Sequence, residues 1–253
     1  MAEGYEPGFE FYECSINDLP AYVTVDMNLD PSAPQKARPV LADIRIALRQ
    51  PKDNGLPIKE ESSKIYELED LIESTLTGRC DCVLAGKIWN AGARNLYFYC
   101  AKADALGRAL QGLASSLLPY EPRITSFPDP DWSSYRESLY PNDLAMQHIA
   151  DRKTVDTLVE QGDDPGIPRP VDHWAYFATE AGREAFVGEI TKQGFRADDL
   201  ETFGEKPAPF RVRFSRVDPV QFATFCRVTE KLSLLASRLD GDYDGWECPV
   251  TKG

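Results

Sequence analysis

The sequence predicts an α+β protein of two tandem ferredoxin-like sandwich domains, residues 1–141 and 142–253, the first carrying an extra β-hairpin at its start. Three observations lead there. Period-two alternation of apolar residues marks short strands, stripes at helical spacing mark amphipathic helices, and the order β-α-β-β-α-β occurs twice along 253 residues.

The extra hairpin comes from "FEFYECS" and "AYVTVDMNL", two alternating runs separated by "INDLP". "VLADIRIALR" (40–49) is the first strand of the repeat, and "PKDNGLP" is turn chemistry. "KEESSKIYELEDLIESTLTG" places Ile65, Leu68, Ile72 and Leu76 on one helical face, with Gly78 as its stop. "CDCVLAGKIW" and "RNLYFYCA" form a hairpin closed by Asn90, Ala91 and Gly92. "ADALGRALQGLASSLL" is the second helix, through Leu106, Leu110, Leu113 and Leu117, and "YEPRITSF" is the last strand.

The aromatic, turn-rich "DPDWSSYRESLYPND" leads to a helix over about residues 143–161. That helix has Val155, Leu158 and Val159 on its apolar side and stops at Gly162. The rhythm then repeats. "PVDHWAYFAT" is a strand, "EAGREAFVGEITKQG" a helix, and "FRADDLE" and "FRVRFSRV" are strands. A long helix opened by Asp218-Pro219 carries a stripe of Phe222, Phe225, Leu232, Leu235 and Leu239 before the final strand "DYDGWECPV".

Composition narrows the function. The net charge is −13, with 14 basic and 22 acidic residues in 1–150 and 14 and 19 in 151–253, so neither half offers a basic footprint for nucleic acid. No apolar run is long enough to span a membrane, and the acidic start lacks the order of a signal peptide; a cytoplasmic location is expected. Most of the six cysteines sit in apolar strand-like or helical contexts and read as reduced, buried thiols.

Catalytic motifs are missing. His148 and His173 are the two histidines, and both read as structural or surface residues. Cys80 and Cys82 share a strand face, but no second Cys/His pair completes a zinc site. Asp240, Asp242 and Asp244 before Gly245 imitate the first half of an EF-hand loop. Thr251 stands where that loop needs a bidentate Glu, which excludes a high-affinity site. The stretch reads instead as a helix exit and a strand bulged at Asp-Gly, which re-aims Tyr243 and Trp246. No cofactor and no metal are expected. The competing reading, an enzyme or small-ligand protein with a site in the first domain or at the domain interface, rests on Asp129, Asp131, Trp132, Tyr135 and Tyr140 together with Cys80 and Cys82.

The second half resembles a known family. "TVDTLVEQGDDPGIPRPVDHWAYF" and the terminal "YDGWE" after a long helix are similar to the ribonuclease E inhibitor family RraB, regulator of ribonuclease activity B. Gly162, Asp163, Asp164, Pro165, Val171, Asp172, His173, Tyr243, Asp244, Gly245 and Trp246 are the residues that match. The first half, with "GLPIKEE", "LEDLIE", "LYFYCA" and "DWSSYRESLYP", resembles a bacterial domain of unknown function that often precedes such a domain. The resemblance implies a non-catalytic module that binds ribonuclease E and lowers its RNA-cleaving activity. An acidic protein without a catalytic set suits docking onto a basic protein partner, with no direct nucleic-acid binding and no membrane contact. Asp163, Asp164, Asp172, Asp242, Asp244, Trp246 and Glu247 are the expected partner-binding residues.

Overall fold

The computed structural model describes residues 5–204 and 206–252. They form two compact units that divide between Pro141 and Asn142. The class is α+β, with a six-stranded sheet in the first unit and a four-stranded sheet in the second.

In the first unit β1 (Phe9–Ile16) and β2 (Leu19–Asp26) form the opening hairpin. Its turn is only Asn17 and Asp18, both at positive φ, the handedness that matches strand twist. After a 3₁₀ turn at Met27–Ser32 come β3 (Val40–Ala47), α1 (Lys59–Arg79), β4 (Cys82–Asn90), β5 (Ala93–Cys100), α2 (Ala103–Gly112) and β6 (Arg123–Pro128). The sheet runs β1-β2-β4-β5-β3-β6, all neighbours antiparallel. Without the hairpin, its four strands stand in the spatial order fourth, first, third, second.

Ile65, Ile72 and Leu76 of α1 and Leu106 and Leu110 of α2 bury against Ile44, Leu96 and Phe98 of the sheet. Both helix ends differ from expectation. Helix α1 passes through Gly78 and closes at Cys80, whose N–H reaches the Leu76 carbonyl. Helix α2 stops at Gly112; residues 113–118 turn tightly, which keeps Leu117 in the core and leaves Leu118 exposed.

The second unit opens with α3 (Asp143–Glu160), capped by the Asn142 side chain, which accepts from the Ala145 amide. Gly162 follows at positive φ. Then come β7 (Arg169–Phe177), α4 (Glu180–Lys192), β8 (Arg196–Thr202), β9 (Phe210–Asp218), α5 (Phe222–Ser237) and β10 (Gly241–Glu247). The sheet runs β10-β7-β9-β8, again fourth, first, third, second. Phe177, Phe186, Phe214 and Leu232 centre the core. On α5, Phe225 and Leu232 are buried, and Phe222, Leu235 and Leu239 half-buried. On α3, Val155 and Leu158 face inward, but Val159 is 51% exposed, a correction to its expected place. The buried stripe of that helix runs through Ala145, Ile149, Asp151, Val155 and Leu158; Val159, four residues after Val155, shares that face by spacing but sits in the last turn, one residue from the helix end. Among the described residues no helix is long and apolar enough to cross a membrane.

Candidate partner-binding face

Strand β7 alternates strictly. Val171, His173, Ala175 and Phe177 point to the helices, while Asp172, Trp174 and Tyr176 point away. Strand β10 does not alternate, because Asp244 is an extra residue between the pairs Tyr243–Ala175 and Gly245–Trp174. Gly245 takes φ +111°, a backbone state that favours glycine. Residues three apart on a regular strand face opposite sides; the bulge lets both Tyr243 and Trp246 face inward.

Each aromatic then finds a buried partner. The Tyr243 hydroxyl lies 2.7 Å from His173 Nδ1. Trp246 meets Phe225 edge-on at 4.6 Å and donates its indole N–H to Asp151 Oδ1 at 2.8 Å. Asp151 is buried and also accepts from the Thr229 hydroxyl and from Gln147 Nε2. Burial pushes its carboxyl up, against the pull of those three donors. His173 is fully buried among Phe195, Phe214 and Phe225; burial, then the charge of Arg216, holds its pKa down to about 3. It is a neutral core histidine at physiological pH.

What remains outward is acidic. Asp242, Asp244 and Glu247 are exposed on β10, whose far edge carries no further strand among the described residues. Glu247 stands opposite Asp172, and Asp242 opposite Tyr176. Burial, then Asp244 and Asp143, push the Asp242 carboxyl up. Asp143 and Asp242 also border an open groove of about 490 Å³, with Leu144 and the exposed Leu234. Across β7 the face continues to β9, where Arg213 stands opposite Trp174 and Arg211 opposite Tyr176. Arg211 is already paired with Asp199 and Glu201, at 3.1 and 2.9 Å.

The expected rim therefore divides. Asp172, Asp242, Asp244 and Glu247 gather on the outward face and edge. Asp164 is exposed in the turn after α3, where its side chain accepts from the Gly166 amide. Trp246 faces the helices, so its place is in the packing and not on the rim. Asp163 is corrected likewise: its side chain is buried, ion-paired to buried Arg169, and accepts the Thr251 N–H. Burial alone would raise its carboxyl, but the amide and the guanidinium hold it below the usual range. Sequence reasoning missed Asp151, Asp143 and Arg169. The one legible signal was Asp151 falling inside the apolar stripe of α3.

In the first unit the aromatic cluster is an anchor. Asp129 is buried and accepts from the Tyr99 hydroxyl (2.5 Å), the Ser133 amide and hydroxyl, and the Ser134 amide. Burial opposes ionisation, but these donors overcome it and hold the carboxyl down to about 2. Trp132 is fully buried, stacks on Tyr99 at 3.9 Å and donates to the Arg38 carbonyl. Tyr135 donates to the Asp26 carbonyl and meets Tyr140 edge-on, while Asp131 is exposed. Burial pushes the Cys82 thiol up to about 12, so it is protonated at neutral pH. The six cysteines are free thiols. Among the described residues no three His, Cys, Asp or Glu side chains group so as to hold a metal ion.

Residues 8–140, more than half of the chain, match the model of a family of unknown function, DUF695. The chain belongs to the DUF695 family. This DUF695 protein carries a second match, residues 148–248, to regulator of ribonuclease activity B. That match spans most of α3, the whole second sheet and the bulged strand. No curated protein matches the chain. Among solved structures, an unknown protein from Galdieria sulphuraria is 12% identical, with 84% of this chain and 99% of that chain covered, at a TM-score of 0.24.

Proposed function

We propose that the protein is a non-catalytic, cytoplasmic regulator of RNA turnover that docks on a basic protein partner, with ribonuclease E the first candidate. Residues 142–253 are the docking domain and residues 1–141 a separate domain. Both are read as ferredoxin-like, supported by the fourth-first-third-second strand order with two helices packed on one sheet face. The single observation that carries the docking reading is the outward set Asp172, Asp242, Asp244 and Glu247. None of these carboxylates has an ion pair among the described residues. Unpaired acids beside the aromatic rings of Trp174 and Tyr176 suit lysine and arginine side chains, by charge and by cation–π contact.

The test is retention of ribonuclease E by the full-length protein at low and high salt, beside a variant carrying Asp172→Asn, Asp242→Asn, Asp244→Asn and Glu247→Gln. Retention at low salt, weakened by salt and lost in the variant, is expected. No retention by the unaltered protein at low salt overturns ribonuclease E as the partner.

A further inference from the structure

The outward face of the first sheet carries a charge arrangement that the packing does not explain. Arg45 of β3 and Arg123 of β6 are register partners, directly opposite each other on neighbouring antiparallel strands. Like charges in that position repel and destabilise a sheet. The chain as a whole has 41 acidic against 28 basic residues, so carboxylates to neutralise the pair are plentiful. Yet neither arginine has an ion pair among the described residues. Arg49, just beyond the end of β3, adds a third guanidinium, also without an ion pair.

All three line one open pocket of about 470 Å³, together with Leu48, Tyr120 and Glu121. That volume lies within the range of small-molecule sites. Arg45 is held in place by long hydrogen bonds to Asn95 Oδ1 and the Ala91 carbonyl, both 3.3 Å, which leave most of its five N–H donors free. The carboxylates nearby offset the charge only in part. Glu121 is exposed at the rim. Asp43, whose carboxyl burial pushes up against the pull of Asn95 and of Arg45, spends its Oδ1 on Asn95 at 2.7 Å and makes no ion pair among the described residues. Glu61 is buried and is spent on the amides of Arg49 and Gln50 and on the Tyr120 hydroxyl. That last contact also fixes the Tyr120 ring in the wall, beside Leu48.

From the opposed arginines, the third guanidinium and the apolar wall, we infer that this pocket of the first unit binds a small oxyanion-bearing ligand. Its phosphate or carboxylate group sits between Arg45, Arg49 and Arg123, and its apolar part lies against Leu48 and Tyr120. Guanidinium forks match both oxyanions bidentately, and a bound anion converts the cross-strand repulsion into attraction. The site lies wholly within the first unit.

The test is thermal unfolding and titration calorimetry of the full chain with pyrophosphate, citrate and adenosine monophosphate. Sodium chloride at matched ionic strength is the control. At about a hundred-fold excess over Kd, a bound probe raises the melting temperature by about 5 °C. A larger shift with pyrophosphate and adenosine monophosphate than with citrate identifies a phosphate site, and the reverse a carboxylate site. Arg123→Gln and Arg45→Gln are expected to weaken the probe at least about ten-fold, while the ligand-free variants melt at or above the unaltered protein. No shift beyond the salt control, or a shift that survives both substitutions, overturns the inference. So does a ligand-free Arg123→Gln protein that melts several degrees lower, because Arg123 would then be structural.

Discussion

The indole N–H of Trp246 meets Oδ1 of Asp151 at 2.8 Å, joining the last strand to the first helix of the second unit across 95 residues of sequence. The contact exists because the extra residue Asp244 turns Trp246 inward. Trp246→Ala removes this donor and the packing on Phe225, and should cost about 3 kcal/mol. Trp246→Phe keeps much of the packing but leaves the buried carboxylate one donor short, for about 1–2 kcal/mol. Urea denaturation of both variants measures the difference. A Trp246→Ala protein as stable as its parent would remove the bulge's structural purpose.

His173 makes the second unit sensitive to acid. Its folded pKa is held down to about 3, against an ordinary value of 6.5. Below 6.5 the unfolded chain takes up a proton that the folded chain refuses. The stability from the neutral ring is therefore complete above 6.5 and is lost as pH falls toward 3, at about 1.4 kcal/mol per pH unit. Between about pH 7.5 and pH 5 the loss from this group is about 2 kcal/mol. The raised carboxyls of Asp43, Asp151 and Asp242 act in the opposite direction. The comparison is therefore with His173→Phe, which should lack the extra acid sensitivity. Denaturation midpoints of both proteins at the two pH values decide it.

Asp163 and Asp242 separate on mutation although both were expected on one acidic rim. Asp163→Ala strands the buried Arg169 guanidinium and should cost about 3–5 kcal/mol. Asp242→Asn removes a charge that partial burial, then Asp244 and Asp143, already disfavour, so stability should stay within about 0.5 kcal/mol while partner retention falls. Denaturation and salt-dependent pull-down, run on the same preparations, check both halves of this expectation.

The elements were legible because periodicity reports which face is buried. Ile65, Ile72 and Leu76 at helical spacing, and Val171, Ala175 and Phe177 at strand spacing, all became core. The bulge was legible from Asp244-Gly245 between two aromatics. Strand order was not, since it depends on which edges meet and no local pattern records that. The burial of Asp163 was not legible either. Its neighbour Asp164 is chemically identical, and only the return of Arg169 six residues later selects which of the two turns inward. Asp151 is the same problem reversed, because polar residues inside an apolar stripe show themselves only once their donors arrive from Thr229 and Trp246. The opposed arginines were hidden because Arg45 and Arg123 are far apart until β3 and β6 pair.

Asp129 tests the enzyme alternative directly. A proton-transfer carboxylate needs a pKa near the working pH and an oxygen free to reach a substrate. Asp129 has a pKa held down to about 2, and both its oxygens are occupied by Tyr99, Ser133 and Ser134. Its stability contribution is present above the unfolded value of 3.8 and is lost as pH falls from there toward 2. Asp129→Asn should therefore cost about 2 kcal/mol at neutral pH and should unfold with less dependence on acid below about pH 4. Tyr99→Phe, which deletes one of the donors, should cost about 1–2 kcal/mol and move in the same direction. Melting curves at about pH 7 and pH 3 for the two variants give the answer. An Asp129→Asn protein that keeps full stability would release the carboxylate from its anchoring role and return it to the list of reactive groups.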